Sequence, residues 1–180
     1  SNALDVGQEL LNVRSYKTED EIALLQEAIN ISEEALKRTI EWAKVGMTEL
    51  EIAKKLGDEM ANLGSDGLAF GSLVLTGENS ALPHGSSGNR KLGENEFLLI
   101  DFGGSKQGYP ADITRTFCLD EPTEKMREIY DTVLRANLAA QAIAKPGVSC
   151  HDVDKAARDV IVEAGYGEYF THRLGHGLGL

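Results

Sequence analysis

Two aspartates and three histidines stand where side chains of their type could do chemistry. Asp101 interrupts the apolar run Phe97 to Phe102 (FLLIDF), and Asp112 follows a glycine-rich loop in ADITRTF. A carboxylate among apolar strand residues is costly to bury unless a cation accompanies it. If the two strands pair near their common loop, both carboxylates reach one place, where they repel unless a divalent ion or an arginine lies between them. Arg115 supplies the arginine, so a plain buried ion pair is the competing explanation. His172 and His176 sit four positions apart in the closing stretch THRLGHGLGL, and His84 lies in the Pro/Gly loop LPHGS. A lone loop histidine is usually a surface residue, so His84 gains meaning only in company. Carboxylates with neutral imidazole form an oxygen/nitrogen donor set suited to Mn, Co, Fe or Zn, and the lack of cysteine in these motifs argues against a structural zinc knot. His151, in the first turn of a capped helix, reads as solvated.

Other chemistries fall away quickly. There is no GxSxG nucleophile elbow and no Walker loop, and GHGLG lacks the spacing and the preceding βαβ context of a dinucleotide fingerprint. With 29 acidic against 18 basic residues the formal net charge is -11, which argues against nucleic acid or an anionic membrane as partner. No apolar run approaches a bilayer span and no signal peptide is present. The two cysteines, Cys118 and Cys150, are too few for a disulfide framework and point to the reducing cytoplasm.

The elements that must position these residues are announced by their ends. Thr18 with Glu21 forms a capping box, after which Ile22, Leu25, Ile29, Leu36, Ile40 and Ala43 recur at helical spacing until Gly46. Thr48 with Glu51 opens a second helix through Ile52, Leu56, Met60 and Leu63 to Gly64. Strands are expected at Ser72 to Thr76, Phe97 to Phe102 and Ile113 to Leu119, with Gly103 to Ala111 as the loop of a hairpin. From Thr123 a helix runs through Met126, Tyr130, Val133 and Ala140; Pro146-Gly147 breaks it, and Ser149 with Asp152 reads as another capping box. A final strand is expected at about Tyr169 to Leu174.

Sliding the sequence against itself by about 101 positions aligns Gly46 with Gly147, Thr48 with Ser149, Glu51 with Asp152 and Gly64 with Gly165. Coincidence of all these boundaries points to a duplicated unit. The expected organisation is a cleavage scar (Ser1-Asn2-Ala3) and leader over residues 1–17, then one catalytic domain over 18–180, with repeats 18–118 and 119–180 and the second copy cut short.

LPHG, IDFGGSKQGYPADITRTF and HRLGHGLGL, in that order behind RSYKTEDEIALLQEA, resemble the pita-bread metallopeptidases, within them the Xaa-Pro dipeptidase (prolidase) and Xaa-Pro aminopeptidase branch. Methionine aminopeptidases share the fold but read closer to GYHGD where this chain has GYPAD. The resemblance implies an α+β pita-bread (creatinase/aminopeptidase) fold, two pseudo-symmetric ααβ units around a curved antiparallel sheet, the second incomplete. It implies Asp101 as ligand to one metal, Asp112 bridging both, and His176 as ligand to the other. His84 and His172 would be the non-ligand histidines that hydrogen-bond the substrate and stabilise the tetrahedral intermediate.

The implied cofactors are two divalent ions, manganese first with cobalt or zinc as alternatives, which activate water to attack the carbonyl before proline. The implied partners are short proline-containing peptides and a second copy in a homodimer. Two glutamates and a further histidine of the family's set would fall after the GHG motif, beyond Leu180, so this chain alone is expected to bind metal weakly or not at all and to be inactive. Three alternatives stay open: an Xaa-Pro aminopeptidase, a creatinase-type hydrolase without metal, and a non-catalytic peptidase-like binding module.

Overall fold

Capping chemistry sets the first helical hairpin. The computed structural model describes residues 6–180, so the expected cleavage scar at Ser1-Asn2-Ala3 lies outside the described residues. Helix α1 (Gly7–Ser15) has no buried residue, which is why no apolar stripe announces it. Thr18 accepts from Glu21 N at 3.3 Å while the Glu21 carboxylate accepts from Thr18 N at 2.7 Å, opening α2 (Glu19–Trp42). Thr48 and Glu51 repeat the exchange at the head of α3 (Glu49–Asn62). The Thr18 and Thr48 amides hold the Glu21 and Glu51 carboxyls below their ordinary range. Gly46 turns the chain between the helices at φ +90°.

The hairpin lays Ile31, Ala35, Leu36, Ile52, Leu56 and Met60 on a three-stranded antiparallel sheet. Its strands are β2 (Leu73–Thr76), β3 (Leu98–Phe102) and β6 (Ile113–Phe117), in the order β2-β3-β6. Along β3, Leu98, Ile100 and Phe102 have no exposure, and Leu99 and Asp101 alternate with them on the half-buried face. Asp101 therefore stands outside the apolar layer in which the sequence placed it.

A second sheet takes two of its three strands from Gly103 to Ala111, the stretch expected to be the loop of a hairpin. It joins β1 (Gly67–Leu68), β4 (Gly104–Lys106) and β5 (Tyr109–Pro110) in the order β1-β4-β5. Gln107 and Gly108 turn between β4 and β5 with φ of +47° and +85°, as a type I′ hairpin requires. Ser32, buried in α2, accepts from Gly104 N at 2.9 Å and so fastens this sheet to the helix. Gly57, in mid-α3, has open space where a β-carbon would go, so Gly57→Ala is expected to raise stability by up to about 1 kcal/mol, read from the urea midpoint.

The chain divides into two units, one running to Glu121 and including Gly177–Leu180, the other Pro122–His176. The second contains α4 (Glu124–Ile143), α5 (Cys150–Glu163) and a 3-10 turn at Gly167–Tyr169. Its core is small: Ala136 and Ala140 pack against Ala157 and Ile161. Tyr130 and Val133, expected on the packed stripe, are 45% and 54% exposed, because close helix approach favours the alanines. At Ser149 only half of the expected capping box forms. Its hydroxyl accepts from Asp152 N, but the Asp152 carboxylate, one methylene shorter than glutamate, takes that hydroxyl's proton at 2.7 Å instead of the Ser149 amide. Helices α3 and α5 each span fourteen residues at the 101-position offset, and Gly64 and Gly165 follow them at φ +93° and +85°. No helix among the described residues is long and apolar enough to cross a membrane.

Candidate active site

The hairpin of β3 and β6 brings the two aspartates onto one sheet face. Asp101 pairs with Thr114 in register, and the Thr114 hydroxyl donates to Asp101 Oδ1 at 2.8 Å, fixing the carboxylate's rotation. Asp112 precedes Thr114 by two residues and so falls on the same face; its neighbours Ala111 and Ile113 point inward and are buried. What closes this end of the hairpin is Gly103. A β-carbon there would overlap the Ala111 carbonyl oxygen, so the backbones meet only because glycine has none. The arginine alternative receives no support here. Arg115 lies on the opposite face of β6, where it pairs with Glu33 of α2 at 3.6 Å and donates to the Thr114 carbonyl.

His84 is exposed in the loop that leaves β2 through the 3-10 turn Gly77–Ala81. That loop folds back along β2: the Ser87 hydroxyl accepts from Val74 N at 2.8 Å, and a β-carbon on Gly85 would come within 2.9 Å of a Leu75 methyl. Since β2 flanks β3, the histidine loop and the aspartate hairpin belong to one sheet.

His172 and His176 lie in the second unit. The stretch from Tyr169 to Leu174, expected as a strand and containing His172 but not His176, leaves the 3-10 turn at Tyr169 and forms no strand. Its backbone groups are satisfied from α5 instead. Arg158, forked onto Asp154 at 2.8 and 3.2 Å, donates to the carbonyls of Phe170 at 2.8 Å and His172 at 2.9 Å. It also stacks on the Phe170 ring, 4.4 Å from its centroid, and Asp154 accepts from Leu174 N at 2.8 Å. His172 Nδ1 meets the Arg173 carbonyl at 2.7 Å. A carbonyl can only accept, so Nδ1 carries the proton and the neutral ring's Nε2 presents a lone pair.

Arg158, then the Leu174 amide, hold the Asp154 carboxyl below its ordinary range. A carboxyl depressed by folding contributes stability above its unfolded pKa and loses it as pH falls through the depressed value. Protection of the Leu174 amide, corrected for intrinsic exchange, is therefore expected to be full at neutral pH and to fall on acidification. Arg158→Ala should lower it at every pH.

The sequence missed Gly103, Ser32, Asp154 and Arg158. A D-x-x-x-R pair on a helix reads as an ordinary i,i+4 ion pair, and nothing local shows that its arginine also serves a distant carbonyl. Among the described residues no three His, Cys, Asp or Glu side chains form a group that could hold a metal ion. By donor chemistry, two carboxylates on one sheet face, one oriented by a hydroxyl, fit a divalent cation.

The profile of metallopeptidase family M24 matches residues 23–180. The chain belongs to that family. An uncharacterized peptidase of Staphylococcus epidermidis is 42% identical over 176 residues, 98% of this chain and 50% of the relative. The fold is the pita-bread fold of this family. X-Pro aminopeptidase from Thermotoga maritima superposes with a TM-score of 0.93 at 42% identity, covering 96% of this chain and 49% of that one. Prolidase from Pyrococcus furiosus superposes at 0.94 and 38% identity, covering 97% and 52%. The chain thus spans about half the length of the relatives it matches.

Proposed function

We propose that the protein to which this chain belongs is a metal-dependent peptidase that hydrolyses the bond before proline in short peptides, an Xaa-Pro dipeptidase. The observation that carries this reading is the pair Asp101 and Asp112 on one face of a hairpin closed by Gly103. Asp101 and Asp112 would hold two divalent ions, Asp112 between them, with His176 as a further ligand; manganese is the first candidate, cobalt or zinc the others. Such ions supply an acidified water and a Lewis acid for the scissile carbonyl.

The chain's own side chains do the rest. Thr114 keeps one Asp101 oxygen turned toward its hydroxyl and so fixes the carboxylate's rotation. His172 and His84 contact the substrate and the developing oxyanion. Since the Nδ1 of His172 is committed to a carbonyl, its Nε2 donates only in the imidazolium form. A peptide bond before proline has no N–H, which favours a pocket that asks for none. The two helical hairpins at the 101-position offset are read as copies of one ααβ unit, with residues 18–180 as one catalytic domain behind a leader. A cytoplasmic homodimer completes the reading.

A second specificity, Xaa-Pro aminopeptidase, is favoured equally by structural likeness, since solved enzymes of both kinds superpose at 0.93 and 0.94. Assay of the full-length protein with manganese on Xaa-Pro and Xaa-Pro-Xaa peptides decides between them. Cleavage confined to the dipeptide supports the proposal, cleavage confined to the longer peptide supports the aminopeptidase, and cleavage of neither overturns both.

A further inference from the structure

Glu49 is the one fully buried acidic side chain among the described residues, and neither capping nor the proposed chemistry explains it. It opens α3, but Glu51 already completes that helix's capping box. Its carboxylate is spent elsewhere. Oε1 accepts from Thr76 N at 2.8 Å, from the Thr76 hydroxyl at 3.2 Å and from Asn79 Nδ2 at 3.0 Å, while Oε2 accepts from Gly88 N at 2.9 Å. Thr76 and Gly88 are the two ends of the loop that carries His84.

The neighbours make this arrangement directional. Arg90, held bidentately by Glu96 at 2.6 and 2.7 Å, donates to Thr76 Oγ1 at 2.8 Å, which turns the hydroxyl's own proton toward Glu49. Backbone bonds from Glu49 N to the Arg90 carbonyl and from Leu50 N to the Gly88 carbonyl bring the far end of the loop to the same helix turn. Buried carboxylates are retained only where hydrogen bonds offset their desolvation. Four donors arriving from both ends of one loop meet that condition.

We propose that Glu49 is a positioning residue whose carboxylate clasps both ends of the loop 77–87 and so sets where His84 stands on the sheet that carries Asp101 and Asp112. The consequence for catalysis rests on the peptidase reading above; the clasp does not.

Glu49→Gln in the full-length protein tests it. Glutamine keeps the shape and the oxygen facing Thr76, but it sets an NH2 against Gly88 N–H. Backbone amides of residues 77–88 are then expected to exchange about tenfold faster, with those of α3 and β3 unchanged. On the Xaa-Pro peptide that the protein cleaves, kcat is expected to fall about tenfold with KM nearly constant, and to fall no further when the same change is made in His84→Ala. Should Glu49→Gln not fold, Asn79→Ala, which removes one donor, is expected to give the same local pattern.

Exchange that quickens uniformly through the first unit, loop amides that do not respond, or losses that multiply with His84→Ala would each overturn the proposal. A full-length protein without Xaa-Pro activity would sink the peptidase reading alone, since the exchange measurement decides the clasp separately.

Discussion

Asp112→Asn in the full-length protein is expected to lower Xaa-Pro hydrolysis by roughly a thousandfold or more while leaving the thermal midpoint nearly unchanged. The carboxylate is exposed and lies just ahead of β6, outside the strand pairing, and asparagine is close to it in size. Asparagine preserves the shape and removes the anion that, on the proposed reading, would help hold the metal ions. Several kcal/mol of transition-state stabilisation then go missing, and each 1.36 kcal/mol is a factor of ten. Asp101→Asn should act alike, because an amide oxygen still accepts from the Thr114 hydroxyl and the strand pairing stays intact. Steady-state kinetics with circular dichroism on the same samples checks this. Near-normal activity in either variant would show that the pair does not hold the metals.

The second large effect is expected at Gly103. Alanine there drives a β-carbon into the Ala111 carbonyl oxygen, and the obstacle is backbone on both sides, with no flexible side chain to yield. The hairpin must part, at a cost on the order of 3 kcal/mol, as for other forced overpacking. Asp112 moves with it, so activity should fall in company with the urea midpoint. Gly71, where a β-carbon meets nothing within 4 Å, is the control, with a change inside about 0.5 kcal/mol. A Gly103→Ala protein with the parent's urea midpoint would mean that the hairpin closes in some other way.

Much of this architecture is readable from residues alone, and the exceptions share a cause. Helices α2 and α3 follow from Thr18, Thr48, Gly46 and Gly64 because caps and stops act locally, within a turn. Strands β2 and β3 follow from apolar runs, and β6 from alternation of apolar with polar residues, for the same reason. The β1-β4-β5 sheet escapes notice because strands of two or three residues, rich in glycine, have no periodicity to detect. The segment after Gly167 looks strand-like by composition, yet Arg158 and Asp154 satisfy its backbone from a helix, a tertiary decision invisible in the local pattern. Glu49 is the sharpest case. An acid in a helix's first turn reads as a dipole partner, and only the fold shows that it is buried and faces Thr76 and Gly88. The aspartates and histidines are legible as chemistry because carboxylates and imidazoles in apolar or glycine-rich settings are unusual. Their mutual placement is legible only for Asp101 and Asp112, which one hairpin joins.

Metal content tests the central claim most directly. Elemental analysis of the full-length protein after dialysis against manganese is expected to give two ions per chain. Asp112→Asn should retain one at most, with its circular dichroism spectrum unchanged. Two ions per chain retained by both Asp101→Asn and Asp112→Asn would contradict the assignment of this hairpin as a wall of the metal site.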